Sequence, residues 1–237
     1  MIKVVFFDLD GTLLPMDENM FVKGYFKMLY EHVKHLGYKQ DELINMIYAG
    51  MKAMYENDGT KTNEEVFWDQ AVKMMGSKVL DDKWAFDEFY KTEFYNTKKL
   101  CGYSDEPRKI IDYLHEKKIP VALTTNPIFP YDGTKARMSF VNLRPDDFIL
   151  VTTYENSSYC KPNPKYFEAC LSKLGLKPDE VILFGNNTKE DGDCASALGI
   201  KVYLVDGYII DDPSANGKYE KINMEDIIGV INKHIKN

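Results

Sequence analysis

Two aspartates two positions apart, Asp8 and Asp10, stand where the apolar run Val4–Phe7 stops, with Gly11 and Thr12 directly after them. A glycine lets the backbone turn sharply, so both carboxylates fall at the mouth of a buried strand. Holding two anions there is costly unless a cation or a proton-transfer role relieves the repulsion. The pair points to metal binding, acid–base work or both. Asp and Gly are also ordinary turn residues, and a strand ending in a polar turn is the plainer alternative.

The elements that must position this pair follow from periodicity. Residues 2 to 7 read as a buried strand, and from about residue 18 to 95 the pattern is helical. Phe21, Tyr25 and Leu29, with Phe26, Val33 and Leu36, predict a helix closed by Gly37. Leu43, Ile47, Met51 and Met54 mark a second helix. Thr62 with Glu65 forms a capping box opening a third, around Val66, Phe67 and Met74, and Trp84 to Tyr95 makes a fourth. From residue 105 onward helices and strands alternate. A helix near 105–117 precedes strand 119–124; a strand near 148–152 leads to helix 164–174; strand 181–184 leads to helix 191–198 and strand 201–205. Asn163 and Pro164 suit an N-cap and a first helical residue, which places Lys161 just ahead of that helix.

Short apolar runs separated by helices predict a parallel sheet covered on both faces. The expected fold is α/β, a doubly wound parallel sheet with an inserted α-helical cap. Its expected division is 1–15 with 100–237 as the core and 16–99 as the cap. In open sheets of this kind ligands bind beyond the carboxyl ends of the strands, where strand order reverses. A bundle leaving the chain just after Asp10 would sit over that crevice as a lid.

The length of 237 residues suits one core plus a smaller unit. A net charge of −7, from 37 acidic against 30 basic residues, argues against nucleic-acid and anionic-membrane partners. No stretch approaches a membrane span, and Met1–Val4 lacks the apolar length of a signal peptide, so a soluble, cytoplasmic protein is expected. The four cysteines, Cys101, Cys160, Cys170 and Cys194, have no C-x-x-C spacing and indicate neither a zinc site nor a disulfide framework. Cys160 reads first as a small residue packed under a loop; Lys161 beside it, lowering its pKa, makes a reactive thiol the alternative.

The segment Asp8-Leu9-Asp10-Gly11-Thr12 resembles the first motif of the haloacid dehalogenase-like hydrolases, mostly magnesium-dependent phosphatases, and three further motifs follow in that family's order. Thr125, ending Val121-Ala122-Leu123-Thr124-Thr125-Asn126, matches the second. Lys161, before Pro162-Asn163-Pro164, matches the third, and the loop from Gly185-Asn186 to Asp191, after Val181–Phe184, matches the fourth. The resemblance implies a Rossmannoid core with a helical cap. It implies a phosphatase acting on a small phosphorylated metabolite through an aspartyl-phosphate, with Mg2+ as cofactor. Asp8 would be nucleophile and metal ligand. Asp10 would be the general acid and base, with its backbone carbonyl on the metal. Thr125 and the backbone around Asn126 would hold phosphoryl oxygens, and Lys161 would supply fixed positive charge.

One position departs from the family pattern: Asn186 stands where an aspartate is expected. An amide oxygen still suits magnesium, but the site loses a charge. Asn186 is therefore expected near the metal, with Asp191 as the main acid of the fourth motif, directly or through water. Asp10 favours phosphoryl transfer over carbon–halogen cleavage, since the family's dehalogenases lack that carboxylate. A phosphomutase on the same scaffold and a non-catalytic phospho-ligand-binding protein stay open as alternatives. The aromatics of the helical region, Phe21, Tyr25, Phe67, Trp68, Trp84, Phe86 and Phe89, read first as bundle core. The loop Pro127–Tyr131 is the expected substrate-facing wall, carried by Phe129 and Tyr131.

Overall fold

In the computed structural model, which describes residues 2–235, the first strand is buried at every position because it lies in mid-sheet. This strand, β1 (Val4–Phe7), pairs in parallel with β2 (Val121–Leu123) on one side and β4 (Val181–Gly185) on the other. With β3 (Leu150–Val151), β5 (Lys201–Val205) and β6 (Glu220–Ile222) they form a six-stranded sheet of order β3-β2-β1-β4-β5-β6. The order reverses at β1, the point where a doubly wound sheet opens its ligand crevice. In the register, Phe7 lies beside Leu123 and Phe184. Asp8, Thr124 and Gly185 therefore leave the sheet along one edge.

Alternation along the strands divides the interior. Val5, Phe7, Leu123, Ile182 and Phe184 face one side, where they meet Ile110, Ile111 and Leu114 of α6 (Glu106–Glu116) and Ile227 and Ile231 of α10 (Ile227–Ile235). Val4, Phe6, Ala122 and Leu183 face the other, against Tyr166, Phe167 and Cys170 of α8 (Lys165–Leu174). Short apolar strands of this kind need helices on both faces, since neither face tolerates water.

Between β1 and β2 the chain is helical: α1 (Glu18–Val33), α2 (Gln40–Tyr55), α3 (Asn63–Met75), the short α4 (Lys78–Asp81) and α5 (Lys83–Lys91), then a 3-10 stretch over Glu93–Leu100. The α3 start follows the sequence: the Glu65 amide donates to the Thr62 hydroxyl at 3.2 Å and the Thr62 amide to the Glu65 carboxylate at 2.8 Å. The predicted fourth helix instead ends at Lys91, because Thr92 leaves helical geometry with φ −126° and ψ −91°. The interior of this region joins the β1–β2 face of the sheet in one apolar cluster through Leu13, Leu14, Met16 and Phe129.

Three further elements depart from the expectation. The predicted helix over 191–198 starts as a wide π turn over Thr188–Asp193 and continues only as α9 (Cys194–Ser196). Asn187 causes this, its side chain accepting the amides of Lys189 and Glu190 at 2.9 and 3.0 Å. α7 (Tyr131–Ser139) follows the second motif where the sequence suggested only a loop. β6 and α10 close the fold after residue 205, where the periodicity gave no strand or helix. The helix expected to start at Pro164 after an Asn163 cap starts at Lys165 instead, with Pro164 at the cap position and the Asn163 side chain accepting the Lys165 amide at 3.1 Å from just outside. No helix among the described residues is long and apolar enough to cross a membrane.

Candidate active site

Asp8 follows β1 directly, its amide donating to the Phe184 carbonyl at 2.9 Å, so the sheet ladder itself aims the residue at the crevice. Its Oδ1 accepts from Lys161 Nζ at 3.0 Å, and the same ammonium donates to Asp191 Oδ1 at 2.6 Å. All three side chains are buried; Lys161 is 1% exposed. A buried ammonium between two carboxylates is held charged by both. Burial opposes that charge, but Asp191 and Asp8 outweigh it and hold Lys161 above the ordinary lysine range. Burial also pushes the Asp8 carboxyl up to about 7; Lys161 pulls it down, while Asp191 and Asp10 push it further up.

The other motif residues are fixed by backbone contacts. The Thr125 carbonyl accepts from the Thr152 and Tyr166 hydroxyls at 2.7 and 2.9 Å, which locks the strand end. No hydrogen bond among the described residues engages the Thr125 hydroxyl, which belongs to a cavity-lining side chain. Asn126 clamps Lys161 from both ends of its peptide unit: its Oδ1 accepts the Lys161 amide at 3.2 Å and its Nδ2 donates to the Lys161 carbonyl at 3.3 Å. Nδ2 also donates to Glu190 at 2.9 Å. Burial, with Asp191 nearby and Lys161 opposing, pushes Glu190 up to about 8.

Two glycines make the close approaches possible. Gly11 has φ +74°, and a Cβ there would strike the Asn186 side chain. A Cβ on Gly185 would strike the Asp191 carboxylate. Asp191 Oδ2 accepts the Asn186 and Asn187 amides at 3.0 and 3.1 Å, so both of its oxygens are engaged by the protein. Asn186 donates from Nδ2 to the Tyr208 carbonyl at 2.8 Å, leaving its side-chain oxygen without a hydrogen bond among the described residues.

Asp8, Asp10, Thr125, Asn126, Lys161, Asn186 and Asp191 all line one cavity of about 150 Å3, roofed by Met16, Phe21, Val22, Met51 and Tyr55 from the helical region. The structure adds a residue that motif order did not suggest. Arg137, on α7 and 1% exposed, forms an ion pair with Asp10 through Nη1. Its guanidinium also lies 4.2 Å from the centre of the Phe129 ring. No signal in the sequence marks it, since one arginine between Ala136 and Met138, in a stretch with no expected helix, reads as a solvated surface position. Burial raises the Asp10 carboxyl above its ordinary range while Arg137 opposes the shift. The remaining Asp10 oxygen, Oδ1, is buried and unpartnered.

This donor set suits a hard divalent cation. Five acids, Asp8, Asp10, Glu18, Glu190 and Asp191, face two bases, Lys161 and Arg137, and one buried carboxylate oxygen is orphaned. Among the described residues no three acidic, histidine or cysteine side chains gather closely enough to hold an ion alone. An ion here would take neutral oxygens as well, which magnesium accepts. Away from the crevice, Tyr131 is exposed, with its amide on Glu155, and lines neither this cavity nor its neighbour; only Phe129 of the expected pair faces the site. Cys160 is buried under Asn63, and burial pushes its thiol well above the ordinary range, so the packing reading describes it.

Comparison with known proteins bears on the family and the fold. The family description "haloacid dehalogenase-like hydrolase" matches residues 5–205. The chain is 26% identical over 214 residues to a ribulose-1,5-bisphosphate 5-phosphatase of Halopiger xanaduensis, covering 87% of this chain and 85% of that protein. It is 24% identical over 232 residues to a glyceraldehyde 3-phosphate phosphatase of Pyrococcus furiosus, covering 94% and 85%. Among solved structures, a 2-haloacid dehalogenase from Pseudomonas syringae shares the fold with a TM-score of 0.67 at 16% identity, covering 98% of this chain and 99% of that one.

Proposed function

The chain belongs to the haloacid dehalogenase-like hydrolase family, and from that membership and the Asp8–Lys161–Asp191 geometry we propose that it is a magnesium-dependent phosphatase. Its substrate is a small phosphorylated metabolite, in keeping with the phosphatases it resembles. The observation that carries the reading is the buried Lys161 ammonium, 3.0 Å from the Asp8 carboxylate at a sheet switch point. A carboxylate attacks phosphorus only where the phosphoryl charge is neutralised.

Lys161 binds a phosphoryl oxygen and cancels part of its charge, and the Thr125 hydroxyl donates to a second. An Asp8 oxygen attacks phosphorus as the ester P–O bond breaks, and the departing alkoxide takes a proton from the Asp10 carboxyl. Water then attacks the aspartyl-phosphate while Asp10 takes its proton, which frees Asp8 and inorganic phosphate. Arg137 fixes Asp10 for both transfers. Asp8, the Asp10 carbonyl and the Asn186 side-chain oxygen would hold magnesium, with Asp191 adding its charge beside them. When bound, the ion neutralises phosphoryl oxygens so that an anion can approach. Asp10 is also the feature that separates this site from dehalogenase chemistry on the same fold. Residues 16–99 act as the cap, and Met16, Phe21, Val22, Met51 and Tyr55 exclude water from the reaction. Turnover of nitrophenyl phosphate with added magnesium, lost in Asp8→Asn, tests the proposal; equal turnover in the variant overturns it.

A further inference from the structure

The catalytic cavity adjoins a larger space. A second cavity of about 350 Å3 shares Glu18, Val22, Met51, Ile128 and Phe129 with it, so the two meet along one wall. Its far walls are the aromatic faces of Phe26, Phe67, Trp68 and Phe86. The sequence reading assigned Phe67, Trp68 and Phe86 to the bundle core; in the structure they pack there and also border this space.

Three of the polar groups around it are engaged with protein partners, while Glu18, Asn19, Lys23 and Tyr48 are exposed residues of its lining. The Tyr25 and Tyr90 hydroxyls bond to each other at 2.6 Å, and Asp87 pairs with Lys83 at 3.0 Å. Against the aromatic wall of Phe26, Phe67 and Phe86 a polyol would leave hydroxyls unmatched, at a desolvation cost. Trp68 Nε1 is buried without a hydrogen-bond partner and the buried Tyr154 lines the same cavity, so its inner side offers a ligand two polar groups. An apolar cavity of ~150 Å3 accommodates a benzene ring, so this one has room for two fused rings. A concave, aromatic-walled space of this size beside the Asp8 site suits an apolar ligand.

We propose that this cavity receives the hydrophobic alcohol portion of the substrate: a phosphate monoester of an aromatic or branched aliphatic alcohol, with its phosphate at Asp8. The assignment rests on the phosphatase reading. It sharpens that reading by excluding polyol phosphates as preferred substrates.

The test compares naphthylethyl phosphate, ethyl phosphate and glycerol phosphate, whose leaving groups are all aliphatic alcohols. The expected kcat/KM for the naphthylethyl ester is at least about tenfold above the other two, from burial of the rings. Val22→Phe and Met51→Phe, each narrowing the shared wall, should bring that ratio towards one; a ratio taken within one preparation is insensitive to the fraction folded. Calorimetry with naphthylethanol on the wild-type protein should show saturable binding with a negative heat-capacity change. Where all three esters turn over, a ratio below about threefold, or one unmoved by both variants, overturns the subsite and leaves the phosphatase reading standing. Where none turns over, the phosphatase reading fails and calorimetry alone decides: saturable alcohol binding supports the subsite and its absence overturns it.

Discussion

The two adjoining cavities are built on different principles. The smaller one is lined by side chains at the ends of β1, β2 and β4 and just ahead of α8, where backbone hydrogen bonds fix each position. Its charged groups hold one another, with Lys161 between Asp8 and Asp191 and Arg137 on Asp10. The larger one is lined by α1, α2, α3, α5 and the loop after Thr125, and its walls are defined by volume and shape. On the proposed reading, chemistry resides in short, ordered segments tied to the sheet, and selectivity in helical side chains that can change size without moving Asp8. Substitutions should separate the two.

The sharpest separation comes from Asp8→Asn. It should lower kcat by at least about 10^4-fold, measured on any turned-over ester, while naphthylethanol binding stays within twofold. Loss of both would merge the two regions. Lys161→Met comes next, because it leaves two buried carboxylates facing each other. Turnover should fall roughly 10^2- to 10^3-fold, and urea unfolding of the metal-free protein should show a loss of about 3 kcal/mol.

The pH dependence of the metal-free protein tests the electrostatics without substrate. Asp8 titrates at about 7 in the fold, against ~3.9 for a free aspartate. The folded state therefore binds more protons in this interval. The stabilising contribution is complete below about pH 4 and is lost as the pH rises through about 7. Tm should drop by several degrees across that window, and added magnesium should raise Tm most at its upper end. A Tm that rises steadily over the same range would contradict the arrangement.

Two smaller changes sharpen the contrast. Asn186→Asp restores a charge beside Asp8 and should lower the half-saturating magnesium concentration about tenfold, read from a metal titration of turnover. Thr62→Ala removes the α3 cap on the helical side and should cost ~1 kcal/mol in chemical unfolding, with turnover within twofold. A large activity loss there would tie the cap's stability to the chemistry.

The same division governs how much the sequence disclosed. Asp8 and Thr125 stand at the ends of apolar runs, so local order was enough to place them at one sheet edge, whereas Lys161 and Asp191 were identified through the resemblance to the family's motifs. The four-residue run of β1 and the Thr62–Glu65 capping box are equally local signals. Arg137 was not legible, because its burial comes from α7 folding back over Asp10, a contact between residues 127 positions apart. The π turn at Thr188–Asp193 was missed because Asn187 redirects amides that the apolar pattern assigns to a helix. The larger cavity was missed for a related reason: helical spacing marks Phe67 and Trp68 as inward-facing but does not say whether the space they face is filled.

The central claim is that Asp8 becomes phosphorylated. The most direct measurement is acid quench of the protein during turnover of a radiolabelled phosphate ester, followed by peptide mapping. Label should appear on the peptide containing Asp8 and be absent from Asp8→Asn. Turnover with no label on that peptide, or label on another residue, would contradict the account.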